Sequence, residues 1–133
     1  MQSNIKKVIV NTPNAPTAIG AYSQGVIVGH LLFISGQIAI NPKNGQIITD
    51  TIEQETKQVM DNIQAILTAA KTNFENMIKC SVYVRDLSQF EVINAVYASY
   101  FEDKDKAPAR EFVEVTHLPK RVNIEISAIA LVS

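Results

Sequence analysis

The stretch that decides the fold is VNIEISAIALV, residues 122–132. Every second residue in it is apolar: Val122, Ile124, Ile126, Ala128 and Ala130. This period-two spacing is typical of a β-strand with one buried face. The other face also becomes apolar toward the end, where residues 128–132 form the longest unbroken apolar run of the chain. The pattern therefore predicts a strand that buries apolar side chains on both faces.

Five earlier segments have the composition or alternation of strands: residues 6–10, 26–28, 31–34, 78–84 and 110–117. Gly29 and His30 separate the second and third by the length of a two-residue hairpin turn. Gly36 follows the third, and a glycine in a strand pattern indicates a β-bulge or a close approach by backbone or ligand.

Two segments show the spacing of amphipathic helices. Core-facing positions of the first recur at intervals of three and four: Ile52, Thr56, Val59, Met60, Ile63, Ile66, Leu67 and Ala70. Asp50 with Glu53 predicts a capping box at its start. The second helix is predicted to begin at Ser88, with Glu91 as the reciprocal cap.

The predicted order is therefore β, β, β, α, β, α, β, β, which is an α+β fold with a mixed sheet. Two helices can cover only one face of such a sheet, whereas residues 31–34 and 128–132 are apolar on both faces. We expect the second face to be buried against another copy of the chain.

Composition narrows the class of protein. A chain of 133 residues has the length of one domain, residues 1–133. A net charge of -1 provides no field for attracting a nucleic acid. The single cysteine, Cys80, fits a reducing compartment, and the longest apolar run is far too short for a membrane helix. We therefore expect a cytoplasmic protein with no membrane or nucleic-acid partner.

Few residues offer catalytic chemistry. His30 and His117 lie in predicted loops, and Cys80 alternates with valines on an apolar strand face, so all three fit structural roles. No catalytic triad or zinc motif is present in the sequence. Arg110 and Glu125 remain, as charged residues on otherwise apolar strands. Burying either charge is costly without a partner or ligand; the alternative is a surface ion pair for Arg110 and a solvent-facing Glu125.

Three motifs resemble the reactive intermediate deaminase (Rid) family, also called the YjgF or L-PSP endoribonuclease family. They are AIGAYSQG at 18–25, SGQI at 35–38, and PAR at 108–110 followed by LP at 118–119 and IEI at 124–126. The resemblance covers essentially the whole chain. It implies a chorismate-mutase-like fold, two helices on one face of the sheet, and a homotrimer with ligand sites between subunits.

The resemblance also implies roles for individual residues. Arg110 would bind the substrate carboxylate, and Glu125 would orient the attacking water and carry its proton. Five further residues would line the substrate pocket: Tyr22, Ser35, Gly36, Asn94 and Phe112. No metal or cofactor is implied. The family usually has Ser-Cys where this chain has Glu111 and Phe112, and the larger ring is expected to narrow the pocket or change its preference.

The function implied is hydrolysis of reactive enamine or imine intermediates, such as 2-iminobutanoate and 2-iminopropanoate, to 2-keto acids and ammonia. The ligand would be a small carboxylate-bearing imine, enamine or 2-keto acid. One alternative is a non-catalytic regulatory protein that binds small ligands in the same pocket. RNA cleavage, suggested by the older family name, is disfavoured because the chain has no basic stripe.

Overall fold

The structure, a computed structural model, describes residues 4–133. Its elements follow one another in the predicted order: β1 (Lys7–Val10), β2 (Gly25–Val28), β3 (Leu31–Gln37), α1 (Ile52–Ala69), β4 (Met77–Val84), α2 (Phe90–Ala98), β5 (Ala109–Glu114) and β6 (Ile124–Leu131). The main difference in bounds is at β5, which ends at Glu114 rather than at His117.

All six strands belong to one mixed sheet in the order β1-β2-β3-β6-β4-β5. Strands β4 and β5 pair in parallel, and every other pairing is antiparallel. The last strand, β6, therefore lies between β3 and β4 near the middle of the sheet. Its residues alternate between buried and partly buried, from Ile124 to Ala130, which confirms the period-two pattern.

The core lies between one face of the sheet and the helices. The predicted stripe of α1 is buried there, with Val59, Met60, Ile63, Ile66 and Leu67 fully buried. From α2, Ile93 and Tyr97 are buried in the same core. Burial of these side chains is the main stabilisation of the fold, at about 25 cal/mol per Å² of apolar surface.

The opposite face of the sheet is uncovered in the single chain, and the part of it on β2, β3 and the end of β6 is apolar. Phe33 pairs with Ile129 and Val26 across neighbouring strands and remains 42% exposed. Leu31 and Leu131 pair with each other beside it and are 37% and 47% exposed. A contiguous apolar patch of this kind is typical of a protein interface.

Both helices begin differently from the sequence prediction. Thr51, not Asp50, caps α1, because its backbone is extended and its Oγ1 accepts the Gln54 N–H at 3.1 Å. Before α2, the Asp86 carboxylate accepts the Ser88 N–H at 2.9 Å and starts a short 3-10 turn that leads into the helix at Phe90. Ser88 is therefore not the cap. No helix in residues 4–133 is long and apolar enough to cross a membrane.

A buried carboxylate on α1 fixes the start of β6. Glu55 is fully buried, and its Oε2 accepts the backbone N–H groups of Asn123 and Ile124 at 2.6 and 3.3 Å. Its Oε1 accepts the Asn123 Nδ2 at 2.8 Å. Sequence analysis did not single out Glu55, because its partners lie 68 and 69 residues away. The contact thus fixes the backbone of the two residues that directly precede Glu125.

We expect Glu55→Ala to destabilise the fold by about 3 kcal/mol, since it leaves buried backbone N–H groups without an acceptor. The free energy of unfolding from urea titration measures this. Glu53→Ala is the matched control, because Glu53 is exposed on the same helix. Equal losses in the two variants would contradict the role assigned to Glu55.

Candidate functional site

The predicted irregularity in β3 lies at Ser35 and Gly36. The pairing of β3 with β6 shifts register between Ile34 and Gln37. The Glu125 carboxylate lies over Gly36, so that a Cβ at position 36 would be 2.9 Å from the Glu125 Cδ. The missing side chain of Gly36 thus makes the room that this carboxylate occupies.

Glu125 and Gly36 form part of a cavity of about 540 Å³, which we call the Glu125 cavity. It is lined by Pro16, Thr17, Ile19, Tyr22, Gln24, Ser35, Gly36, Gln37, Ile38, Ile40, Pro119, Lys120 and Glu125. The Tyr22 side chain is exposed, and the Ser35 hydroxyl donates to the Ser23 carbonyl. Four of the predicted site residues, namely Tyr22, Ser35, Gly36 and Glu125, therefore meet in one place.

The Glu125 carboxyl has a pKa that its surroundings shift. Glu125 is partly buried, whereas the alternative expected a side chain that simply faces solvent. Partial burial disfavours the charged form and raises the pKa of Glu125 above its usual value. A carboxyl with a raised pKa in a cavity is a candidate general base or acid.

Gln24 is a cavity residue that the sequence analysis did not assign a role. Its buried side chain accepts the Thr12 N–H at 2.7 Å and donates to the carbonyls of Ala15 and Pro16 at 3.2 and 2.8 Å. These bonds hold the proline-rich loop that forms one wall of the Glu125 cavity. The sequence feature that could have identified Gln24 as a site residue is its position inside the 18–25 motif.

Lys120 is a second lining residue that was not singled out. It and Arg121 have left-handed backbone conformations, with φ of 55° and 56°. Each costs about 1–2 kcal/mol for a residue with a side chain, and such strain is often found at functional sites. The turn before β6 thus places a cation among the residues that line the Glu125 cavity.

Arg110 lies at a different place, where β5 meets α2. Its Nη1 donates to the Asn94 Oδ1 at 2.6 Å. Among residues 4–133 the ion pairs are Lys57 with Asp61 and Lys79 with Glu111. The surface ion pair proposed as an alternative for Arg110 is therefore absent from this part of the chain, and its charge is available to a ligand.

Arg110 and Asn94 line a second cavity of about 380 Å³, the Arg110 cavity. Its lining residues are Asn94, Tyr97, Ala98, Phe101, Lys104, Ala107, Pro108 and Arg110. Phe112 lines neither this cavity nor the Glu125 cavity. Its half-buried ring packs edge-on against Phe90, with 4.7 Å between ring centroids. In the single chain, therefore, the ring is not placed to narrow either cavity.

Arg110 and Glu125 lie on opposite faces of the sheet. Arg110 pairs with Cys80, and Glu125 pairs with Tyr83, across the same strand β4. Cys80 and Tyr83 are three positions apart, and side chains alternate between faces at each residue. The predicted site residues are thus divided: Arg110 and Asn94 line the Arg110 cavity, Phe112 lies beside Arg110 on the same face of β5, and the other four line the Glu125 cavity.

The remaining reactive side chains have structural surroundings. Cys80 is fully buried, and burial raises the pKa of its thiol to about 11, so the thiolate is scarce at neutral pH. His30 and His117 are exposed, as predicted. Residues 4–133 contain no group of three or more His, Cys, Asp or Glu side chains arranged to hold a metal ion.

The family of the chain follows from its similarity to known proteins. The family model described as Endoribonuclease L-PSP matches residues 12–132, nearly the whole chain. The chain belongs to the Rid family. The resemblance of the motifs is thereby confirmed, as is the mixed six-stranded sheet with two helices that Rid proteins share.

Relatives within the Rid family carry different functional names. The 2-iminobutanoate/2-iminopropanoate deaminase of Escherichia coli is 45% identical, covering 92% of this chain and 95% of the relative. A Lactococcus lactis protein named as a candidate regulator, AldR, is 49% identical, covering 92% of this chain and 95% of the relative. The solved structure of E. coli TdcF with bound serine superposes with a TM-score of 0.89 at 39% identity, covering 95% and 99%.

Gly36 offers a direct test of the Glu125 cavity in this Rid protein. We expect Gly36→Ala to displace the Glu125 carboxylate, because the added methyl group would overlap it. A crystal structure of the variant measures the displacement, and circular dichroism checks that the sheet remains. A Glu125 carboxylate that keeps its place in a folded variant would contradict the close contact over Gly36.

Proposed function

We propose that this chain is a 2-iminobutanoate/2-iminopropanoate deaminase. It would hydrolyse the C=N bond of a small 2-imino acid to give a 2-keto acid and ammonia. The observation that carries the proposal is that the chain has both an Arg110 guanidinium with no ion-pair partner among the described residues and a half-buried carboxyl at Glu125. The deaminase name of an E. coli relative supports the same reaction.

Arg110 would bind the substrate carboxylate. Its planar guanidinium can donate two parallel hydrogen bonds to a carboxylate, which fixes the orientation of the substrate as well as its position. The Nη1 of this group already donates to Asn94, so the remaining N–H groups would meet a ligand in a fixed geometry. The serine bound to TdcF is a small carboxylate ligand of the same kind.

Glu125 would act on water. On the protonated imine, the ionised form of Glu125 accepts a proton as the water oxygen bonds to the imine carbon, which leaves a neutral tetrahedral carbinolamine. Glu125 then passes this proton to the amine nitrogen. As the C–N bond breaks and ammonia leaves, Glu125 accepts the proton of the carbinolamine hydroxyl, so that the C–O bond becomes the keto carbonyl, and it finally releases that proton to solvent. A protonated imine carbon is already electrophilic, so positioning and charge neutralisation can carry the reaction.

The proposal includes assembly into a homotrimer with sites between subunits. Arg110 and Glu125 lie on opposite faces of one sheet, so a substrate cannot readily contact both within one chain. A neighbouring copy can supply the missing half of the site. The exposed apolar face that includes Phe33 and Leu131 provides a surface for that copy. Sedimentation as a monomer at micromolar concentration would contradict this assembly.

The proposed activity is tested with an imine made in place, because 2-imino acids hydrolyse on their own. An amino-acid oxidase or a dehydratase generates 2-iminopropanoate, and keto acid and ammonia are followed with and without the purified protein. We expect faster release than the uncatalysed rate. A rate equal to that of the control at all protein concentrations would contradict the deaminase proposal.

A second candidate function is ligand sensing without turnover, favoured by the name of the L. lactis relative. It uses the same Arg110 contact but needs no proton transfer at Glu125. Calorimetry that detects 2-ketobutyrate binding to a protein inactive in the coupled assay would support it. Turnover above the uncatalysed control would exclude a function limited to ligand sensing.

A further inference from the structure

Three aromatic rings surround the guanidinium of Arg110. The Arg110 Cζ lies 4.9 Å from the ring centroid of Tyr97, 5.4 Å from Phe112 and 5.7 Å from Phe90. All three distances are within the roughly 6 Å range of cation–π attraction. We call Phe90, Tyr97 and Phe112 the aromatic cage.

The cage joins two separate elements. Phe90 and Tyr97 come from α2, and Phe112 comes from β5, at the edge of the sheet. Phe90 and Phe112 contact each other edge to face at an interplanar angle of 66°. Tyr97 is 5% exposed and Phe90 and Phe112 are partly buried, so the walls are packed into the protein while Arg110 itself is exposed.

An exposed arginine side chain normally samples many rotamers. When a ligand binds and restricts it to a few of them, the lost conformational entropy lowers the affinity. Ring faces that attract the guanidinium, together with the bond to Asn94, restrict it before any ligand arrives. No described carboxylate competes for the charge. Each side chain that is ordered in advance saves a cost equivalent to about a threefold to tenfold change in affinity.

We propose that the aromatic cage is a positioning device that holds Arg110 ready to bind a carboxylate, and that Phe90 and Phe112 thereby determine the affinity of the site for small 2-keto and 2-imino acids. This inference rests on the proposed function of Arg110. The cage acts through Arg110 and touches no reacting atom. It therefore governs substrate binding and leaves the proton transfer at Glu125 unchanged.

The test is calorimetric titration of the full chain with 2-ketobutyrate, together with the coupled kinetic assay. We expect Phe90→Leu and Phe112→Leu each to raise Kd about threefold to tenfold. KM rises by the same factor, and kcat changes by less than about twofold. Phe112→Tyr retains the ring face, so its Kd should remain near that of the wild type.

Tyr100→Leu is the matched control. Tyr100 follows α2 and packs against Phe74 with 5.3 Å between ring centroids, and its hydroxyl donates to Asp61, so its loss weakens packing away from Arg110. An unchanged Kd in Phe90→Leu and Phe112→Leu would overturn the cage, as would an equal rise in Tyr100→Leu or a loss confined to kcat. A wild-type protein that does not bind 2-ketobutyrate would also overturn it. Binding without turnover would instead overturn only the deaminase proposal.

Discussion

Arg110→Ala is expected to lower kcat/KM by about 10²–10³-fold. Truncating one side of a charge-assisted pair with the substrate carboxylate typically costs 2–5 kcal/mol. Arg110→Lys retains the charge but loses the planar fork, so we expect a partial loss of about tenfold. The coupled assay measures both variants, and calorimetry with 2-ketobutyrate measures binding separately.

Arg85→Ala is the control for the loss of a positive charge. Arg85 is exposed just after β4 and lines neither the Glu125 nor the Arg110 cavity. If Arg110→Ala were folded and retained wild-type kcat/KM, the carboxylate-binding role of Arg110 would be wrong. An equal loss in Arg85→Ala would show that net charge, not the placement of Arg110, controls the activity.

Glu125→Gln is expected to lower kcat by about 10²–10⁴-fold with little change in KM, because general acid–base groups contribute that much to rate. The amide has nearly the same shape as the carboxyl, so it fits above Gly36. Glu53→Gln, on the exposed surface of α1, is the matched control. A kcat within twofold of the wild type would exclude Glu125 as the proton carrier.

The same variant has a second signature in stability. The pKa of Glu125 is raised in the folded chain, so the folded state holds this proton more tightly than the unfolded state does. Wild-type stability from this group is present below its usual pKa of 4.5 and is lost as the pH rises through the raised value. Glutamine does not titrate. We therefore expect the stability of Glu125→Gln relative to the wild type to increase as the pH rises above 4.5, in urea unfolding without ligand.

Regular spacing predicted the elements well. The alternation in residues 122–132, the stripe on α1 and the irregularity at Gly36 all depend on neighbours two to four positions away. Such periodicity is a local property of strands and helices. The predicted helix starts were wrong because Thr51 and Asp86, which lie one and two positions from the predicted caps, are the residues that have the extended backbone and the side-chain hydrogen bond of a cap.

The sequence motifs identified the residues of the candidate site, but they did not predict how these residues are arranged. Alternation could place Arg110 and Phe112 on one face of β5, and the register confirms this. It could not relate Arg110 to Glu125, because β4 lies between their strands and its pairing with both is set by tertiary packing. That pairing divides the two residues between opposite faces.

The sequence by itself determined the element order, the α+β class, the family and an apolar second face, since each is encoded in local periodicity or in a contiguous motif. Only the tertiary structure decided where Glu55 and Gln24 form their hydrogen bonds, and that Phe112 turns toward Phe90 to enclose Arg110. These contacts join residues 12 to 69 positions apart or on separate elements. Their geometry depends on how helices and strands pack, and no local pattern records that.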